Sequence, residues 1–104
     1  MLEVNTHSEN GKGTIELIGE LDTTSSVEFE KSLDGFLDDL TDLTIDMKKL
    51  DYITSAGLRV LLYIEQTMED QGEMRVINVC EDVMDVFEVS GFSEVLNIQW
   101  EKSR

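Results

Sequence analysis

At 104 residues with a 40% hydrophobic fraction, the chain is sized for one domain that can bury its own core, and Cys80, the sole cysteine, excludes an internal disulfide. Eight Lys and Arg against 23 Asp and Glu give a formal net charge of −15, which repels phosphodiester backbones and anionic headgroups, disfavouring nucleic acid and membrane, and would steer in a protein partner with a basic patch, or equally serves only to keep the chain in solution. The longest apolar run, Val60 to Ile64, is far short of the ~20 residues of a spanning helix, no secretory signal follows Met1, and the cytoplasm is the expected location.

In chain order, Leu2–Val4 reads as a short strand and Asn5–Gly13, with Asn10-Gly11 inside it, as turn chemistry. Thr14-Ile15-Glu16-Leu17 alternates and runs on to Leu21, predicting a second strand paired as a hairpin. Ser25 and Glu28 have capping-box spacing, and Phe29, Leu33, Phe36, Leu37 and Leu40 then form one apolar stripe. That pattern predicts a helix of roughly four turns, with Gly35 a modest cost inside it. Leu43, Ile45 and Met47 alternate with Thr44 and Asp46 as a third strand.

A second helix is expected from Leu58 to about Gln71, burying Leu58, Leu61, Leu62 and Met68 on a side widened by Val60 and Ile64. Gly72 is placed for its C-terminal cap. Met74–Val79 predicts a fourth strand, and Asp82 can cap a short third helix bearing Val83, Val86 and Phe87 that Gly91 ends. Val95–Trp100 reads as a last strand or an extended tail. Strands alternating with helices imply right-handed crossovers. The expected fold is α/β: a mixed, mostly parallel sheet of four or five strands packed against three to four helices, in a single domain over residues 1–104.

Chemistry concentrates where the third strand runs into the second helix. Ser55 lies just before a helical apolar pattern, so its hydroxyl can act as an ordinary N-cap. A helix N-terminus also presents unpaired N–H donors and partial positive charge, which accommodate a phosphate. Phosphorylating Ser55 would add about −1.5 to −2 charges in one step. Ala56 leaves the place uncrowded, and Gly57 permits close backbone approach by a partner.

The run Met47-Lys48-Lys49-Leu50-Asp51-Tyr52-Ile53-Thr54-Ser55-Ala56-Gly57-Leu58-Arg59-Val60-Leu61 resembles the signature of the STAS family, which joins sulphate transporters with anti-sigma factor antagonists. Gly19-Glu20-Leu21-Asp22 and Phe87-Glu88-Val89-Ser90-Gly91-Phe92 resemble two further pieces in the same order. The resemblance implies a bacterial antagonist that, unphosphorylated, binds a serine kinase-type anti-sigma factor and frees the sigma factor. The anti-sigma factor then phosphorylates it from ATP, and a metal-dependent serine phosphatase resets it. Ser55 falls at the family's phospho-acceptor position. Asp22 matches an acidic residue in a nearby loop, where a plain turn or cap role is an equal alternative, and Thr54, Ala56, Gly57 and Leu58 make the surroundings. No cofactor and no catalytic residue is implied.

Thr54 is a departure, since the family's sporulation and stress antagonists place aspartate there. Threonine supplies no fixed charge and offers a second hydroxyl for modification. A different job on the same fold is also open: an accessory subunit docking on an ABC transporter ATPase without a phosphoserine cycle. An enzyme is disfavoured, because the one histidine, His7, sits in the N-terminal turn region, Thr-Ser-Ala-Gly is not a nucleophile elbow, and no Gly-rich nucleotide loop occurs. His7 has no second histidine for a metal site. Cys80 reads as a small buried hydrophobe, and Met47, Met68, Met74 and Met84 as core.

Overall fold

A computed structural model describes residues 2–99. Five strands lie in the order β1-β2-β3-β4-β5, with β1 (Leu2–Glu9) antiparallel to β2 (Lys12–Leu21) and every later neighbour parallel. Helix α1 (Thr23–Ser32) connects β2 to β3 (Asp42–Ile53), and α2 (Ser55–Glu69) connects β3 to β4 (Glu73–Ile77). Helix α3 (Glu81–Ser90) and one 3-10 turn (Phe92–Glu94) lead to β5 (Ile98–Gln99). The mixed α/β sheet is the architecture expected from the sequence. Trp100, the end of the segment expected as a last strand or an extended tail, lies outside the described residues.

Alternation along the strands builds two layers. Ile15 and Leu17 of β2, Leu43, Ile45 and Met47 of β3 and Val76 of β4 are fully buried with Phe29, Leu61, Ile64 and Phe87 from the helices. Residues of opposite parity line the other sheet face with polar groups. There Asn5 Nδ2 donates to Glu16 Oε1 at 3.2 Å, and Arg75 donates to Thr44 Oγ1 at 2.7 Å while pairing with Asp42 at 2.7 Å. Among the described residues no helix is long and apolar enough to cross a membrane.

Several boundaries differ from the sequence expectation, each for a physical reason. The hairpin turn is only Asn10-Gly11, both at positive φ (56° and 81°), the tight geometry such a pair adopts. Strand β1 therefore extends to Glu9 and carries His7 as an exposed strand residue. Helix α1 is capped by Asp22 and not by Ser25, which occupies the third helical position. It stops at Ser32; the chain then turns through Gly35 at φ 81°. Leu33, Leu37 and Leu40 are still buried, so the stripe records burial beyond the helix. The Gln71 side chain ties that unwound stretch to the end of α2, donating to the Leu40 carbonyl at 2.8 Å and also to Leu37 O.

Strand β3 runs six residues past Met47, with register shifts against β2 near Glu16/Ile18 and Gly19/Glu20. Gly72 does not adopt the left-handed cap conformation, and Asp70 is the C-cap of α2. Gly72 is required by contact: a Cβ there would lie 2.1 Å from the Thr41 carbonyl oxygen. Cys80, half-buried, precedes α3 as its N-cap residue, and Asp82 falls within the first turn instead of capping it. Gly91 ends α3 at φ 86°, as expected. Met47, Met68 and Met74 are buried, and Met84 packs against the core.

Candidate functional site

Strands β2 and β3 are parallel and end in register, Leu21 opposite Ile53. The residues that follow, Asp22 and Thr54, are the N-caps of α1 and α2, so two helix N-termini open side by side at one end of the sheet. Thr54 N–H donates to the Leu21 carbonyl at 3.0 Å, joining the two caps through the backbone. The predicted site residues Asp22, Thr54 and Ser55 are thus brought together by strand register across 33 residues of sequence.

The two caps differ. Asp22 closes a capping box: its Oδ1 accepts from Ser25 N–H at 2.9 Å, and Asp22 N–H donates to Ser25 Oγ at 2.9 Å. Ser25 Oγ in turn donates to the Glu20 carbonyl at 2.8 Å. The Ser25 N–H and hydroxyl bonds hold the Asp22 carboxyl below its ordinary pKa of 3.8, because they favour the charged form. Asp22 is therefore first a structural cap, one of the two roles open for it in the sequence.

At α2 the N-cap is Thr54, and Ser55 is the first helical residue, a correction to the expectation that Ser55 itself caps. The Thr54 side chain makes no capping bond; its hydroxyl turns back toward Leu21 O at 3.5 Å. The first-turn N–H donors of α2 are left without a side-chain acceptor. Ser55 is exposed, and its hydroxyl has no hydrogen-bond partner among the described residues. Neither α1 nor α2 has an acidic residue in its first turn, whereas α3 has Glu81 and Asp82. In a chain of net charge −15, the start of α2 carries no carboxylate at its N-cap or in its first turn, and the start of α1 carries only that of its cap, Asp22.

Gly57 and Leu58 face inward, correcting the expectation that Gly57 admits a partner's backbone. A Cβ on Gly57 would lie 2.7 Å from Leu21 Cγ and 2.9 Å from Ile53 Cγ1, so its small size lets α2 seat on the strand ends. Leu58 is buried in the core. Both position Ser55 from beneath. Ala56 lines a groove of about 210 Å³ between the helices with Thr23, Val27, Arg59, Val60 and Tyr63. Val27 and Tyr63 stay half-exposed at 54% and 49%, although helix periodicity alone would not mark them as neighbours. Among the described residues no group of three or more His, Cys, Asp or Glu is arranged to hold a metal.

Comparison with known proteins bears on the fold and the family. A protein of Bordetella bronchiseptica named as an anti-sigma factor antagonist, BtrV, is 40% identical over 57 residues; the match takes in 54% of this chain and spans about half, 49%, of that relative. The crystal structure of an anti-sigma factor antagonist from Mycobacterium paratuberculosis superposes with a TM-score of 0.82 at 15% identity, over 94% of this chain and 85% of that one. SpoIIAA of Bacillus in its phosphorylated form superposes with a TM-score of 0.70 at 19% identity, over 97% and 93% of the two chains. At such identities the superpositions speak for the fold. The STAS domain model matches residues 2–102, nearly the entire sequence, and the chain belongs to the STAS domain family.

Proposed function

We propose that this protein is an anti-sigma factor antagonist: with Ser55 unmodified it binds a serine kinase-type anti-sigma factor and so releases the sigma factor. Phosphoryl transfer to Ser55 ends the binding. In that step Ser55 Oγ bonds to the γ-phosphorus of ATP, the bond to the leaving ADP breaks, and the hydroxyl proton is lost; a metal-dependent serine phosphatase reverses the state by hydrolysis. The protein acts as ligand and phosphoryl acceptor, not as a catalyst, and works in the cytoplasm where sigma factors act.

The observation that carries this reading is the placement of Ser55: an exposed first-turn hydroxyl with no partner among the described residues, on a helix start without a side-chain cap. A dianion there meets free N–H donors of its own helix, so the fold tolerates it, while a docked surface loses contact by repulsion and desolvation. The names of the relatives agree, and SpoIIAA exists in both unphosphorylated and phosphorylated forms.

The test mixes the protein with kinase-type anti-sigma factors encoded near it, with ATP, and locates added phosphate by mass spectrometry. Ser55→Ala is expected to bind and to resist phosphorylation. Ser55→Asp is expected to bind at least a hundredfold more weakly, about 2.7 kcal/mol, without losing thermal stability. Tight binding by the Asp variant would remove the repulsion argument. Phosphate on Thr54 alone would move the switch by one residue.

A further inference from the structure

We propose that Arg59 is the intramolecular counter-ion of a phosphoryl group on Ser55, folding over it and holding the modified protein in its released form; the inference rests on Ser55 being the modified hydroxyl. Ser55 and Arg59 are both exposed and stand four residues apart in α2, which puts them one above the other on a single helix face. Their order is the favourable one, with the anion nearer the N-terminus and the cation one turn on.

The guanidinium is available. Of the two arginines among the described residues, Arg75 is committed to Asp42 and Thr44, whereas Arg59 makes no ion pair with any described residue. Glu30 lines the same groove as Arg59, yet the two do not pair. A phosphoserine dianion offers up to twice that carboxylate's charge and three acceptor oxygens to a planar forked donor, so it wins the competition. Further carboxylates at this end of the sheet are Glu20, opposite Tyr52 near the end of β2, Asp22 at the start of α1 and Asp51 near the end of β3. Negative charge near the phosphate raises its pKa, and Arg59 and the helix start act in the opposite direction. Modification then changes the docking face twice: it adds an anion and withdraws a cation that the unmodified protein presents to its partner.

The experiment installs phosphoserine at position 55 during translation, so no kinase is needed, and follows the second phosphate ionisation by 31P NMR titration. Circular dichroism checks the fold of each variant. The phosphate in the wild-type sequence is expected to titrate about half a pH unit below that in Arg59→Gln. Arg59→Lys, which keeps the charge, should recover part of the difference. Lys49→Gln, which removes a charge from β3, should leave the titration unchanged. A common titration for wild type and Arg59→Gln, an equal shift in Lys49→Gln, or no recovery in Arg59→Lys overturns the proposal. A kinase that never modifies Ser55 would instead sink the proposed function and leave the 31P result standing.

Discussion

Helices α1 and α2 begin side by side from equivalent strand ends, and the two beginnings are built to opposite ends. The start of α1 is closed by a carboxylate and two buried serines, Ser25 and Ser26, whose hydroxyls bond to nearby backbone. The start of α2 has threonine where a capping side chain belongs, and that side chain turns away. Stability alone would favour capping both, since a cap is worth about 1 kcal/mol. Leaving one helix start open forgoes that gain and keeps an unsatisfied donor set beside a free hydroxyl, the arrangement on which the proposed modification of Ser55 rests.

The contrast can be broken by substitution. Gly57→Val should do most damage, because its Cβ alone already meets Leu21 and Ile53; about 3 kcal/mol of overpacking is expected as a lower urea midpoint. Ser25→Ala, which removes the hydroxyl shared by Glu20 O and Asp22 N–H, should cost about 1–2 kcal/mol. Ser55→Ala, by the same assay, should stay within about 0.5 kcal/mol of wild type, since no internal bond is lost. Equal losses for the two serines would erase the distinction between closed and open starts.

Thr54→Asp sharpens the comparison in the other direction: a carboxylate can accept from the first-turn N–H groups and should stabilise by about 1 kcal/mol. The smallest expected effect concerns acid. The Asp22 pKa is lowered in the folded chain from 3.8, so its contribution is complete above that value and is lost as pH falls through the lower folded one. Asp22→Asn should therefore melt below wild type at neutral pH and match it near pH 2; a constant gap across that range would mean the charge is not what the cap uses.

Much of this was legible in the residues. Alternation in β2 and β3, the Asn10-Gly11 turn and the Gly91 stop each mark themselves within a few positions. Other features were misplaced because two local solutions fit the same letters. Asp22-Thr23-Thr24-Ser25 and Ser25-Ser26-Val27-Glu28 both satisfy a capping box, and tertiary packing selects the first. Thr54 and Ser55 are both good N-caps, so the letters do not say which hydroxyl stays free. The stripe from Phe29 to Leu40 predicts burial correctly but not helicity, since side chains can point inward from turns. In β3 the buried positions pass from every second residue to Met47, Leu50 and Ile53, so the strand outruns its own alternation. The Val27–Tyr63 groove was invisible, as it exists only once two helices are juxtaposed.

Strand β3 is twelve residues long, but β4 pairs with it only from Asp42 to Ile77's partner Asp46. From Met47 onward one flank rests on β2 while the other meets α3, where the Cys80 thiol lies 3.5 Å from the Leu50 carbonyl. The stretch delivering Ser55 is thus a cantilever, braced by a ladder along one side and by side-chain packing along the other. Loosening the α3 brace should therefore register as faster amide exchange from Leu50 to Ile53 before the rest of the sheet responds.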